Sequence, residues 1–316
     1  MVEVRFYSRE LEARWDDFIL NSKTPLFFFQ RSFLEYHSDR FTDVSLVAFQ
    51  DGEIVGLIPA TRHDRIVVSH GGLTFGGVIV DARARSSIAG VVLSSALSFL
   101  AENGFDRLRY KAVPWFLRTL PSEEDLYFIM RQPGGRLARR DLSSIIDLNA
   151  RLKLSKGRKA LLSKARQSGV ELRQSEDWQS FYNLLANVLQ RHGAKPVHTP
   201  AELDYLSSRH PAHVKLFVAV KDEELLAGTI LFDFGHVVHT QYLAVSEQGK
   251  ALGALDFLIE TCIEASVESA RYFSFGISTE DDGRYLNQGL LNQKEGFGAR
   301  SAIIDTYEVD TRDFQS

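Results

Sequence analysis

An α/β (α+β) fold built twice over, each half a mostly antiparallel mixed sheet flanked by helices, is what three observations in the sequence predict. Residues 44–58, "VSLVAFQDGEIVGLI", alternate apolar and polar residues around Asp51-Gly52, the pattern of a tight hairpin. Residues 214–231, "VKLFVAVKDEELLAGTIL", repeat that form around Asp222-Glu223. After each hairpin come further strand-like residues, a long helical segment and a short strand: "RIVVSHGGLTFGGVIV", 86–103 and 107–113 in the first half, "HVVHTQYLAV", 250–269 and 271–277 in the second. The period is too long for a solenoid, so a duplicated domain is expected.

Between the halves, "SSIIDLN" (143–149) reads as a closing strand, and a basic helix over 151–169 follows and ends on Gly169. The boundary is therefore placed near residue 150, dividing the chain into 1–150 and 151–316. Asp177-Trp178 opens a helix over 177–191 and another is expected over 200–209. The predominance of hairpins argues for a largely antiparallel sheet. The run "LNQGLLNQKEGFGAR" (286–300) begins as an amphipathic helix and is expected to stop at Gly296 before a closing strand.

Composition narrows the class. The chain has 316 residues, 44% hydrophobic and 25% charged, enough for two cores without cross-links. Its one cysteine, Cys262, lies within an apolar helix, allows no intramolecular disulfide and fits a reducing, cytoplasmic setting. No stretch approaches the ~20 apolar residues that span a bilayer, and the charged N-terminus is unlike a signal peptide. A net charge of −4 supplies no general attraction to DNA or other nucleic acid. No metal-ligand spacing is present, so no metal is expected.

Residues 240–263, "TQYLAVSEQGKALGALDFLIETCI", run strand, glycine-bearing turn, helix. Backbone N–H groups at such a turn and helix start can hold a pyrophosphate. With Gln248-Gly249-Lys250-Ala251-Leu252-Gly253-Ala254 in that turn and Gly296-Phe297 ahead of the last strand, the chain resembles the Gcn5-related N-acetyltransferase (GNAT) superfamily. Ala251 stands where that superfamily usually has its middle glycine, and Asn292 where it usually has a tyrosine general acid; Tyr285 is the nearby substitute. The helix "GRKALLSKARQSGV", the run "SHGGLTFGGVIVD" and the ending "KEGFGA" resemble more specifically the two-domain Fem-type branch, which includes peptidoglycan aminoacyl transferases and acetyltransferase-like proteins of polysaccharide clusters. The resemblance implies two tandem GNAT-like domains, the second holding acyl-CoA as co-substrate. Strand residues Leu243 and Val245 would lie along the pantetheine, and Gly249, Lys250, Gly253 and Ala254 around the pyrophosphate.

For the catalytic base the candidates are Glu280, in the loop after the 271–277 strand, and His192, in "RHGAKPVHT" at a helix end. The bland readings are an exposed acidic loop and a histidine favoured by the helix dipole. His239 and Gln241 share one face of their strand and Tyr242 takes the other. His239 is a further catalytic candidate, as is Asp256, which either orients a base or complements its helix dipole. His198, Gln241, Tyr242, Ser278, Asn287 and Lys294 are candidate acceptor contacts, the last two seven residues apart and so on one helix face. The basic run Arg151, Lys153, Lys156, Arg158, Lys159, Lys164 and Arg166 reads mainly as a solvated helix face, with three or four of its members able to face a diphosphate; Arg158, a candidate substrate contact, matches a recurrent arginine of the Fem-type motif. His70, Gly71, Thr74 and Gly76 either form turns or offer bare backbone to a sugar nucleotide.

The expected activity is transfer of an acyl group from acyl-CoA to the amine of an amino sugar or its nucleotide-linked form. Two alternatives stay open: an aminoacyl-tRNA donor, disfavoured by the acidic charge and the lack of a long heptad-bearing arm, and a non-catalytic sugar-binding module.

Overall fold

The computed structural model describes residues 1–191 and 193–314; His192 lies outside the described residues. The chain divides into two compact units: unit 1 comprises residues 1–141 together with the segment from Ile303 onward, and unit 2 is Leu142–Ala302. The division near residue 150 with a continuous C-terminal half is corrected accordingly. The change of unit falls inside two strands, because the closing strand is longer than "SSIIDLN" and the last strand returns to unit 1.

Unit 1 begins with β1 (Glu3–Phe6), α1 (Glu12–Leu20), α2 (Arg31–Leu34) and β2 (Thr42–Asp43). The first hairpin follows, β3 (Leu46–Gln50) and β4 (Glu53–Ile58), then a second one, β5 (Thr61–His63) and β6 (Ile66–Ser69). α3 (Ser86–Glu102), β7 (Arg107–Lys111), α4 (Glu124–Ile129) and β8 (Arg136–Asp147) complete the first passage. Unit 2 contains α5 (Lys156–Gln167), β9 (Glu171–Ser175), α6 (Trp178–Gln190), α7 (Pro200–Arg209), β10 (Val214–Lys221), β11 (Glu224–Asp233) and β12 (Val237–Val245). α8 (Glu247–Leu252), α9 (Ala254–Ser266), β13 (Tyr272–Ile277), β14 (Thr279–Glu280), β15 (Tyr285–Leu286) and α10 (Gln288–Glu295) follow before β16 (Arg300–Asp310).

Both anticipated hairpins form. Asp51 and Gly52 have φ of 52° and 84°, and Asp222 and Glu223 have 48° and 63°, the left-handed pair that a two-residue hairpin turn demands. In each hairpin the register slips at the third residue after the turn, where Val55 and Leu226 have no opposite number. A bulge at the same offset is structural support for duplication. The capping of the helices follows ordinary chemistry: Asp177 accepts from Ser180 N, and Thr199 with Glu202 makes a capping box.

Within unit 1, β1-β3-β4 form one antiparallel sheet, while β2, β5, β6, β7 and β16 lie side by side in a second run. α3 packs its apolar face into a core that includes Leu46, Ile58, Leu93, Leu97 and Leu108. Unit 2 runs β8-β13-β12-β11-β10-β9, antiparallel throughout except for the β12–β13 pair. Its core gathers Leu258, Ile263, Phe273 and Phe297, with Cys262 buried among them and its thiol pushed up to about 12 by that burial.

One helix differs from its expected form. The single helix over 250–269 is two, α8 and α9, broken at Gly253, whose φ of 74° suits glycine. A Cβ there would lie 2.5 Å from the Leu161 carbonyl oxygen, so close packing on α5 also selects glycine. At the other end, α10 stops where expected, with Gly296 as its right-handed C-cap (φ −59°), and the chain then turns towards the last strand at Gly298 (φ 94°). Among the described residues no helix is long and apolar enough to cross a membrane.

Candidate active site

β12 and β13 start as parallel neighbours, pairing Val237 with Tyr272, Val238 with Phe273 and His239 with Ser274, and there the ladder ends. Two local features part them. On β12 the register against β11 jumps from Thr240 opposite Leu231 to Tyr242 opposite Ile230, leaving Gln241 as a bulge. On β13, Gly276 adopts φ 70° and turns the chain away. Residues 242–245 keep their partners on β11, but among the described residues no backbone hydrogen bond joins 241–245 to β13.

The β13 side of this opening is held by Lys294. Its ammonium donates to the carbonyls of Gly276 (3.0 Å) and Ile277 (2.6 Å) and to Ser278 Oγ (2.9 Å), and the residue is only 3% exposed. Burial lowers its pKa to about 8. These two carbonyls take their hydrogen bonds from a buried point charge. His239 sits beside it, with Nδ1 3.0 Å from Ser274 Oγ; burial first, then the charge of Lys294, brings the imidazole down to about 4. At neutral pH it is uncharged. Ser274 and Gly276 were not anticipated from sequence, whereas Lys294 was named as a candidate contact without its burial being foreseen.

The bulge also alters which groups meet. Strict alternation puts Gln241 and Tyr242 on opposite faces, yet the Gln241 side chain hydrogen-bonds to Tyr242 because the extra residue breaks the pleat. The Tyr242 hydroxyl lies 2.7 Å from His198 Nδ1 and also receives the backbone N–H groups of Val197 and His198. Tyr242 thus ties the 193–199 loop to the strand at the opening. Tyr242→Phe is expected to raise amide exchange in residues 194–199 about tenfold while costing only ~1–2 kcal/mol of global stability. Unchanged exchange in that peptide by mass spectrometry would remove the role.

The remaining candidates are distributed as follows. Glu280 and Tyr285 face each other across the small β14–β15 ladder, both exposed, and Asn287 Nδ2 donates to Glu280 at 2.7 Å. Asn287 also caps α10 through Leu290 N, and its own N–H donates to Ser278 O, so Asn287 and Lys294 do flank one segment. Ser278 itself is fully buried. Arg158 and Asp256, read as a candidate diphosphate contact and as a base-orienting or dipole-complementing carboxylate, instead pair with one another in a largely buried contact. Arg158 also donates to Gln293 O and stacks 4.6 Å above the Phe297 ring. Gly296 has no side chain because a Cβ would lie 3.0 Å from Arg158 Nε. That pair is architecture joining α5, α9 and α10.

The turn expected to cradle a pyrophosphate is wound into α8. Gly249 N donates to Ser246 Oγ, Lys250 N to Ser246 O, and Gly253 N to Lys250 O. A Cβ on Gly249 would meet Leu226 O at 2.3 Å, so both glycines serve packing, and Ala254 is fully buried at the start of α9. Lys250 is exposed and paired with Glu247, while Leu243 is half-buried and Val245 buried on the strand. No cluster of histidine, cysteine and carboxylate side chains suited to a metal exists among the described residues.

In unit 1, His70 is buried, accepts from Gly72 N through Nδ1 (3.2 Å) and is held neutral, its pKa about 3, by burial and by neighbouring positive groups beginning with His37. Gly71 N donates to Thr61 Oγ1, Gly76 N to Lys111 O, and Thr74 is exposed. These four candidates belong to one loop pinned by the Lys111 ammonium on the carbonyls of His70 and Leu73.

A strand parting from its parallel neighbour at a bulge, followed by a turn and a helix, defines the N-acyltransferase architecture of the GNAT fold. Residues 149–285 match the family model for an acetyltransferase (GNAT) domain, so unit 2 carries that domain. The crystal structure of FemX superposes with a TM-score of 0.68 over 96% of both chains at 12% identity. The structure of L-PGS from Bacillus licheniformis gives 0.57 at 13% identity over 84% of this chain and 83% of that one. A tandem GNAT protein from the clavulanic acid biosynthesis pathway gives 0.51 at 12% identity, covering 98% and 99%. The chain therefore has a tandem GNAT-like fold over nearly its whole length. No curated protein matches it in sequence.

Proposed function

We propose that the protein transfers an acyl group from acyl-CoA to an amine at the opening between β12 and β13, the acceptor being an amino sugar or its nucleotide-linked form in cell-envelope polysaccharide synthesis. The observation that carries this is the unpaired edge of residues 241–245 opposite a buried lysine. A pantetheine arm contains amides, and an amide-bearing chain adds to such an edge as a strand would. A backbone N–H at the Gln241 bulge is the group to polarise the thioester carbonyl, with the Lys294 charge nearby. The acceptor nitrogen attacks the carbonyl carbon, the C–S bond breaks, the thiolate leaves and the nitrogen sheds a proton to Glu280, directly or through water. His239, Gln241, Tyr242 and His198 supply the polar surface around the acceptor. A cytoplasmic setting suits such a donor.

A second donor, aminoacyl-tRNA, is favoured by one observation. The amides of Gly249 and Lys250 are engaged inside α8, and Lys153, Lys156, Lys159 and Lys164 of the α5 segment are all exposed and offer side-chain contacts to a polyphosphate backbone. Calorimetric titration separates the two. Micromolar acetyl-CoA binding, weaker for free CoA, is the expected result. No acetyl-CoA binding together with tRNA binding that falls steeply between 50 and 200 mM salt, as counterion release requires, would replace the donor. Ligand binding by neither would leave the non-catalytic sugar-binding reading.

A further inference from the structure

Unit 1 repeats the elements of unit 2 up to the point where unit 2 opens. Its β4 has the place of β11, and the segment 78–80 has the place of β12, because Leu57 and Ile79 exchange both backbone hydrogen bonds. α3 then leads to β7 as α9 leads to β13. The difference lies between β4 and that segment, where unit 1 inserts the hairpin β5–β6 and unit 2 inserts nothing.

β6 lies parallel along β7, pairing Ile66 with Arg107 through Ser69 with Tyr110, nearly the full length of the strand. Beyond the ladder, Lys111 N donates to Ser69 Oγ and Lys111 O accepts from Gly76 N. The facing segment is occupied too: Val78 N donates to the Tyr110 hydroxyl (2.9 Å) and Val80 O accepts from Lys23 N (3.0 Å). A buried strand edge must find partners, and in unit 1 the chain itself provides them. β6 takes the parallel-paired edge of β7 over Arg107–Tyr110, the edge that on β13 is paired by β12 only through Ser274 and lies open beyond it.

We infer that the β5–β6 hairpin is a built-in occupant of the donor cleft of unit 1, so that the chain takes one acyl donor, in unit 2 alone. This rests on the donor position proposed above, but the occupancy of unit 1 is read independently of any donor. Unit 1 is then free of donor chemistry.

Hydrogen exchange on the full chain, with and without millimolar acetyl-CoA, tests this. Without ligand, amides of 67–69, 78–80 and 108–111 are expected to exchange at least about 10²-fold more slowly than those of 241–245 that β11 does not hold. Added acetyl-CoA should protect 241–245 and leave unit 1 unchanged. Fast exchange at 78–80 and 108–111, or donor-induced protection there, would overturn the inference. If acetyl-CoA protects nothing, the acyl-CoA reading fails, while the ligand-free comparison still decides whether unit 1 is filled.

Discussion

Replacing Lys294 with methionine is expected to slow acyl transfer by about 10²- to 10³-fold, the scale of losing one preorganised charge beside a developing oxyanion. The assay is thiol release from acetyl-CoA with an amino-sugar acceptor, alongside a thermal melt to show that the variant folds. Methionine fills the volume but leaves the Gly276 and Ile277 carbonyls and the Ser278 hydroxyl without their donor, so some destabilisation is expected as well. A pH series separates the two effects. The folded-state pKa of Lys294 is about 8, below the ordinary 10.5, so its ammonium form is present at pH 7 and lost as the pH rises through about 8. The lysine's part in the rate should fall over that interval. Stability runs the other way: a depressed lysine pKa contributes fully above about 10.5 and that contribution is lost as the pH falls through about 8. Lys111, also brought to about 8 by burial with Arg139 and Arg109 close by, adds the same sign. His239, at about 4, is silent in this range. A Lys294→Met rate equal to the wild type at pH 7 would remove the charge from the mechanism.

The sequence carried the duplication because hairpins advertise themselves locally: alternation on both sides and a turn that needs positive φ leave few other readings. It carried the splitting of a strand pair poorly, since that depends on Gly276 and on one extra residue at Gln241, neither of which disturbs the composition of its strand. The same holds for Arg158 and Asp256. Each was read alone, Arg158 as a possible diphosphate contact and Asp256 as a base-orienting or dipole-complementing carboxylate, and they meet only because α5 and α9 pack together, a contact 98 residues apart in the chain. Glycines misled for a related reason. Gly249 and Gly253 look like a phosphate loop, but they are glycine because the Leu226 and Leu161 carbonyls press on them. Lys294 is the instructive case on the other side: its helix position was legible and its burial was not, because the carbonyls that receive it come from β13.

The largest effect on stability is expected in unit 1, at Arg118. Its Nε and Nη2 donate to Val113 O at 3.1 and 3.0 Å, Nη1 donates to Ser122 O, and Nη2 reaches Asp125 Oδ2 at 3.0 Å. Both charged side chains are almost wholly buried, and Asp125 Oδ2 also accepts from the Tyr110 hydroxyl at 2.6 Å. Arg118→Met strands a carboxylate away from water, at a cost of ~3–5 kcal/mol. Adding Asp125→Asn removes the stranded charge while keeping an acceptor for Tyr110, so the double variant should recover roughly half of that loss in a urea melt. The consequence reaches the filled cleft, because Tyr110 is the group that holds Val78 N. Amides of 78–80 should therefore lose protection in Arg118→Met before those of β10–β11 do, and regain part of it in the double variant. Loss of protection in both units together would mean that the Arg118 pair stabilises the whole chain rather than this closure, and equal stability of Arg118→Met and the wild type would mean that the buried pair contributes nothing net.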